Sequence, residues 1–344
     1  MRIPFEAAHR QEYQELLAEV FDSGFLSEGK QLAAFEAEFS EFVGLHAAGV
    51  SNGGAALSAL YEYVGLDGAD VIVPANTFWA TTVLVKRAGG NVIYADSRRD
   101  DLCLSLDDIK RKLTPATKAV VITHIGGHLA FEIAEIQSFC RDRGLYLIED
   151  CAHAHGASWN NKTAGSWGVG GAYSFYSTKT MPIGEGGMVV SADSDFIDWV
   201  KQYRNYGKQV VGGQVSYPIA NGVNCRMNEV TAAFGRIQLR RLPDILAWKR
   251  DLAGKFDEIF ARRVQLPDGM VSGYYKYVVF DYELTQQTGK VFNHNDFGNE
   301  ITGVVADVPN AYWIAEHHKC APIWYGWDNA RLSVAEIRHI LLGS

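Results

Sequence analysis

Apolar positions at Tyr13, Leu16, Leu17, Val20 and Phe21 recur at the spacing of one helix face, and Gly24 breaks the pattern. Leu32, Phe35, Phe39, Phe42 and Val43 repeat that spacing, which predicts a second amphipathic helix capped at Ser27 and stopped at Gly44. The period then changes. Short apolar runs at Val71–Pro74, Val92–Asp96, Ala119–His124 and Leu145–Asp150 read as buried strands. Helical stretches separate them, one starting within Asn76–Thr82, one near 105–113 and one near 131–142. Strands alternating with helices at this pitch predict βαβ units and a mainly parallel sheet wound right-handed. Trp159–Thr163 reads as a small hairpin. A strand at Ala172–Tyr176 follows, and a turn rich in glycine returns Gly187–Ser191 antiparallel beside it. Helices are expected near 194–206 and from about 227 to 262, the longer one kinked or split by Pro243.

The C-terminal stretch from about 265 mixes strand and helix signals, with Tyr274–Tyr282 as a strand and a Gly- and Asn-rich segment after it. The expected fold class is α/β. A large domain over residues 1–240 carries the mixed, mainly parallel sheet flanked by helices, and a smaller α+β domain covers 241–344, with the boundary inside the long helix. A chain of 344 residues suits that division.

Composition narrows the function classes. Hydrophobic residues at 47% and charged residues at 21% describe an ordinary soluble globular chain. The net charge of −8 is dispersed, and no basic run marks a nucleic-acid footprint. No apolar run is long enough to span a bilayer, and the first residues do not read as a signal peptide. Cys103, Cys140, Cys151, Cys225 and Cys320 are scattered without paired spacing. They are expected to be reduced thiols in the cytoplasm, not a disulfide frame or a metal site.

Candidate chemistry gathers around Ser174-Phe-Tyr-Ser-Thr-Lys179, followed by Gly184-Glu-Gly-Gly187. A lysine held near the end of a buried strand loses water, becomes easier to deprotonate and gains a nucleophilic amine. Ligands in parallel sheets bind beyond the carboxyl ends of the strands. The Gly53-Gly54 loop, Thr77-Phe78, Asp150 with His153, and Ser174 with Lys179 are all expected there. The glycine loop feeds a helix start, a natural anion seat. Pyridoxal 5'-phosphate needs a lysine for its aldehyde, a carboxylate for its ring nitrogen, donors for its phosphate and an aromatic for its ring face. One candidate for each is present.

Ser51-Asn-Gly-Gly-Ala-Ala-Leu, Pro74-Ala-Asn-Thr-Phe-Trp-Ala-Thr, Glu149-Asp-Cys-Ala-His-Ala-His-Gly-Ala, Ser174-Phe-Tyr-Ser-Thr-Lys, Gly184-Glu-Gly-Gly and Gly222-Val-Asn-Cys-Arg occur in that order. Together they resemble the DegT/StrS family of fold type I, pyridoxal-phosphate-dependent sugar aminotransferases. The match covers about residues 1–240. The resemblance implies that Lys179 links covalently to the cofactor and moves the substrate proton, while Asp150 pairs with the ring nitrogen. It puts His153 beside the phenolate oxygen and Phe78 on the ring, with Trp79 as a substitute. Gly53, Gly54 and Ser174 would hold the phosphate. Asn224 would reach the phosphate of a neighbouring subunit, making the active unit a homodimer with its sites at the subunit interface.

The implied reaction moves an amino group from an amino acid, glutamate by resemblance, to a keto sugar, plausibly nucleotide-linked, in amino-sugar biosynthesis. Arg226 meets either a substrate anion or a structural carboxylate. His124, His128 and His155 read equally as substrate contacts or structural groups. Two positions depart from the family pattern: Gly54 stands where threonine is common, and Cys225 where tyrosine is frequent. Retention of Lys179 disfavours the sugar dehydratases of the same fold, in which histidine replaces it. A non-catalytic relative is disfavoured by Lys179, Asp150 and Ser174 occurring together. A Rossmann dehydrogenase fails on spacing, because neither glycine loop gives Gly-x-Gly-x-x-Gly after a first strand.

Overall fold

The computed structural model describes residues 4–292 and 307–343. Helix α1 (Ala7–Ser23) and helix α2 (Lys30–Val43) each stop at a glycine in the left-handed conformation, Gly24 at φ 68° and Gly44 at φ 71°. Ser27 does not cap α2; Gly29 holds the cap position. The helix start is satisfied from far along the chain. The buried Glu229 carboxylate accepts from the N–H groups of Gly29 (3.0 Å), Gln31 (2.7 Å) and Leu32 (2.9 Å).

Strand β1 (His46–Val50) leads into α3 (Gly53–Val64), then β2 (Asp70–Pro74), α4 (Trp79–Arg87), β3 (Asn91–Ala95), α5 (Leu106–Lys112), β4 (Thr117–Thr123), α6 (Ile133–Asp142) and β5 (Tyr146–Asp150). The hairpin β6 (Ser158–Trp159) and β7 (Lys162–Thr163) turns through Asn160 and Asn161, both at positive φ, as a two-residue loop requires. Next come β8 (Gly170–Ser174), β9 (Gly187–Ser191), α7 (Ser194–Tyr203), the short hairpin β10 (Gln209–Val211) and β11 (Gln214–Ser216), and the long α8 (Glu229–Ile259). Beyond it lie β12 (Met270–Val271), β13 (Tyr277–Phe280), α9 (Pro309–His317), β14 (His318–Ala321) and α10 (Val334–Leu342). Most of the Gly- and Asn-rich stretch expected after β13 falls in 293–306, outside the described residues.

Seven strands form the central sheet in the order β1-β9-β8-β5-β4-β2-β3. β9 runs antiparallel to both β8 and β1, and the remaining pairs are parallel, as expected for a mixed, mainly parallel sheet. The sheet gains one strand that the sequence reading does not predict: β1 is a mostly buried edge strand registered against β9. Its Ala-Ala-Gly run is too small to show a strand period.

Helix α8 passes through Pro243 as one element, so the proline does not split it as the sequence allowed. Its buried residues run from Glu229 to Ile259, so packing along the whole length offsets the missing backbone bond. A large core covers the sheet and takes in Leu239, Leu242 and Leu246 of α8. A second, smaller core joins Leu252 and Phe256 of α8, and Phe260 just past its end, to Tyr277, Val279, Ala321, Ile337 and Leu341. Asp96, just past β3, ties the two parts by accepting from the Asn310 and Ala311 N–H groups at the start of α9 (2.9 and 2.8 Å). Among the described residues no helix is long and apolar enough to cross a membrane.

Candidate active site

β8 ends at Ser174, and the chain reverses over the next residues before returning as β9. The Lys179 N–H donates to the Tyr176 carbonyl (2.9 Å) and Ile183 N–H to Phe175 (2.9 Å), while Gly184 turns at φ 94°. Lys179 is thereby held at the carboxyl end of the sheet, half-buried. Burial lowers its pKa to about 8, with Lys276 pushing the same way and Asp150 opposing. An amine near that value supplies a neutral, nucleophilic fraction at ordinary pH.

Asp150 is the last residue of β5 and is buried. Its carboxylate accepts from Thr81 Oγ1 (2.9 Å) and the Ala152 N–H (3.1 Å). Thr81 is in turn bonded to Thr77, and Thr77 to Thr123, each at 2.9 Å. Burial raises the Asp150 pKa, while the Ala152 amide, the Thr81 hydroxyl and Lys179 work against the rise. His153, three residues on, has a buried Nδ1 with no partner. Burial and the lysines around it hold its pKa well below the ordinary imidazole value, so the ring is neutral.

The N-terminus of α3 lies against the same end of the sheet. Asn52 caps it by accepting from the Ala55 N–H (2.8 Å). A Cβ on Gly53 would stand 2.7 Å from Ser174 Cβ, and one on Gly187 would stand 2.4 Å from the Asn52 carbonyl oxygen. Only glycines allow this approach, which sets free helix N–H groups beside the Ser174 hydroxyl. Gly54 has more room, its nearest foreign atom being Asn52 Oδ1 at 3.2 Å.

Phe78, at the start of α4, is exposed, with Trp79 beside it at 5.4 Å between ring centroids. Asn224 is also exposed. Within the chain, Arg226 bonds to Asn205 and lies 4.0 Å from Glu28. His128 is buried, its Nε2 bonded to the Asp101 carbonyl (2.9 Å), and desolvation pushes its pKa to about 4. His155 is fully buried against the rings of Tyr173 and Phe175, with its pKa near 3 for the same cause. Both are enclosed by packing. His124 is bonded at both ring nitrogens: Nε2 bonds to Glu149 (2.9 Å) while Nδ1 accepts from the Ala130 N–H (3.3 Å).

Several working residues went unread. Glu149 accepts from Gly165 (2.7 Å), Trp167 (2.6 Å) and Gly168 (2.8 Å) N–H groups as well as His124, so its fully buried carboxylate fixes the loop between β7 and β8. His124, Glu149 and Cys151 bring three heteroatoms together, but these bonds already occupy both carboxylate oxygens. Thr81 had a signal, standing one helical turn after Thr77. Tyr275 had none. It lies in the smaller unit, yet its ring stacks on His153 at 4.0 Å and stands 5.1 Å from Lys179 Nζ.

Solved structures share this arrangement of elements. An aminotransferase TlmJ from Streptoalloteichus hindustanus superposes with a TM-score of 0.87 at 26% identity, covering 97% of this chain and 96% of that one. The fold is therefore the fold type I aminotransferase fold. Residues 7–287 match the model of the DegT/DnrJ/EryC1/StrS aminotransferase family, and the chain belongs to that family. It is 39% identical over 243 residues to a GDP-perosamine synthase of Vibrio cholerae, covering 70% of this chain and 65% of that relative, just under two thirds of its length. To a dTDP-4-dehydro-2,3,6-trideoxy-D-glucose 4-aminotransferase of Saccharopolyspora spinosa it is 33% identical, covering 77% of this chain and 74% of the relative. The relatives are named as sugar aminotransferases, in line with the expected activity.

Proposed function

We propose that this protein is a pyridoxal-5'-phosphate-dependent aminotransferase of amino-sugar biosynthesis. It takes the amino group from an amino acid, glutamate as the first choice, and delivers it to the keto group of a nucleotide-linked sugar. The observation that carries the reading is a lysine of lowered pKa and a buried carboxylate at one end of the sheet, with a glycine-lined helix N-terminus beside them. The named substrates of the relatives, sugars joined to GDP and dTDP, support the nucleotide-linked acceptor.

The residues fit the cofactor. The buried, unpartnered His153 Nδ1 offers a contact for a phenolic oxygen, and the Gly53–Ser174 approach offers a cradle for phosphate with no side chain in the way. Asp150 would face the ring nitrogen and Phe78 a ring face, while Gly54 adds a backbone donor. Bound there, the cofactor supplies an aldehyde and an electron sink. The chain supplies the rest. Asp150, tied to Thr81 and the Ala152 amide, holds its charge in place beside a positive ring nitrogen. Lys179 would supply the amine for the aldehyde, and its Nζ would hold and move the proton of the substrate carbon. His153, neutral, is free to donate or accept one hydrogen bond at Nδ1.

A homodimer with sites at the subunit interface completes the proposal. The β10–β11 hairpin leaves Val210, Val211 and Val215 exposed, with Tyr217 just after it and Asn224 also at the surface. An apolar patch of this kind is expected to be covered by a partner. A cytoplasmic location accords with five buried, unpaired cysteines.

Purified protein mixed with pyridoxal phosphate should gain a visible absorption band that Lys179→Ala lacks. Glutamate plus a 4-keto nucleotide sugar should yield 2-oxoglutarate and amino sugar in equal amounts. Turnover in Lys179→Ala should fall by about 10²–10⁴, the usual worth of a positioned acid–base group, or more. A wild-type protein that releases no keto acid from any amino donor would overturn the reading.

A further inference from the structure

We propose that Tyr275 is a positioning residue of this site, holding the plane of the His153 imidazole and closing the site over the Lys179 amine. The inference rests on the pyridoxal-phosphate reading above.

Tyr275 and His153 lie nearly parallel, with ring centroids 4.0 Å apart and planes 21° from each other. His153 Nδ1 has no hydrogen-bond partner, so the stack is what orients the imidazole. Lys179 Nζ is 5.1 Å from the Tyr275 ring centroid and Lys276 Nζ is 5.4 Å from it, a cation–π distance in both cases. One aromatic ring thus stands among an imidazole and two ammonium groups. Thr178, the residue before Lys179, acts to lower the pKa of the Tyr275 hydroxyl against the rise that burial imposes.

The ring is aimed by its backbone. Gly273 N–H donates to the Gly127 carbonyl (2.8 Å), the Ser272 hydroxyl donates to the same oxygen (2.8 Å), and Lys276 N–H donates to Gly126 (2.9 Å). Gly127 has φ 110°, and a Cβ there would stand 2.4 Å from the Tyr275 nitrogen. Tyr274, a non-glycine residue at φ 43°, has its carbonyl held by Lys249 Nζ at 2.9 Å. A strained residue pinned on both sides is a backbone whose direction is over-determined. The outcome of that strain is the placement of the next ring, Tyr275, between the smaller unit and the lysine turn.

If the ring alone carries the role, Tyr275→Phe keeps pyridoxal-phosphate affinity within about twofold, because the π face survives. Tyr275→Leu, or Tyr275→Met should the leucine variant fold poorly, should weaken that affinity by about five- to tenfold, the upper part of the range for one aromatic stack. The absorption spectrum of the bound cofactor should shift in the same variants. In a His153→Ala background the leucine substitution should add nothing further. An equal loss in both backgrounds would mean simple packing and overturn the proposal. A loss in the phenylalanine variant as large as in the leucine one would assign the role to the hydroxyl and overturn it too. Wild-type protein that takes up no pyridoxal phosphate would sink the parent reading first, an outcome distinct from either.

Discussion

Lys179 is a weaker base than an ordinary lysine because the fold takes much of it out of water beside a second half-buried lysine, Lys276, with Asp150 as the opposing charge. The sign of the linkage follows. Below about pH 8 the amine is charged in folded and unfolded chains alike, and its burial cost is present in full. Between about 8 and the ordinary 10.5 the unfolded chain holds a proton that the folded chain has released, so stability gains with rising pH. Lys179→Met without cofactor should therefore be more stable than the wild type at pH 7, by about 2 kcal/mol after allowing for partial exposure. The gap should close as pH rises through that window, read by denaturant titration at several pH values. A gap that does not change with pH would mean that Lys179 titrates as a solvated lysine. The same residue was legible from sequence because it follows a strand and precedes four residues of glycine turn. Asp150 was legible as the charge at a strand end. Thr81 and Glu149 were harder to read, since their partners lie 69 and 16 to 25 positions away.

Among the elements, α2 shows how a distant residue replaces a local cap. Ser27 looked adequate, yet the start of the helix is satisfied by Glu229, about 200 positions later, which accepts three N–H groups in a buried setting. Glu229→Ala would leave those donors without partners. Each buried unsatisfied group costs about 1–3 kcal/mol, so the variant should lose at least ~3 kcal/mol, read as an earlier denaturant midpoint. A change under ~0.5 kcal/mol would mean that water or Ser27 takes over the cap. Helix α8 carries the same lesson in the other direction. A proline inside a helix normally costs about 3 kcal/mol, and here burial on both sides of Pro243 keeps the helix whole.

For the molecule as a whole, the question is what the second copy supplies. If Asn224 serves the neighbour's site, Lys179→Ala and Asn224→Ala complement each other. Refolding the two inactive proteins together at equal amounts makes about half of the dimers mixed, each with one intact site, so about a quarter of wild-type activity should return. No recovery would mean that Asn224 acts within its own chain or that the protein works as a monomer. The hydrophobic cores also bear on the domain division. The boundary proposed near residue 240 lies inside α8, while the side chains change from the larger core to the smaller one between Leu246 and Leu252. A helix shared by two cores has no linker composition to mark a boundary.

The sequence by itself determined the layered α/β plan, the lysine turn, the carboxylate that ends β5, the glycine loop and the family. Each is a local pattern: a strand followed by a turn, or a short motif whose neighbours in the chain are also its neighbours in space. Tertiary structure alone decided what closes over these groups. Tyr275 reaches His153 from more than a hundred residues away because Gly126 and Gly127 clip its backbone to the turn after β4. The burial of His124, His128 and His155 was likewise decided by the tertiary structure, because burial is a property of all the elements around a side chain. Periodicity reports which way a residue faces on its own element, and contact across elements depends on how those elements are packed.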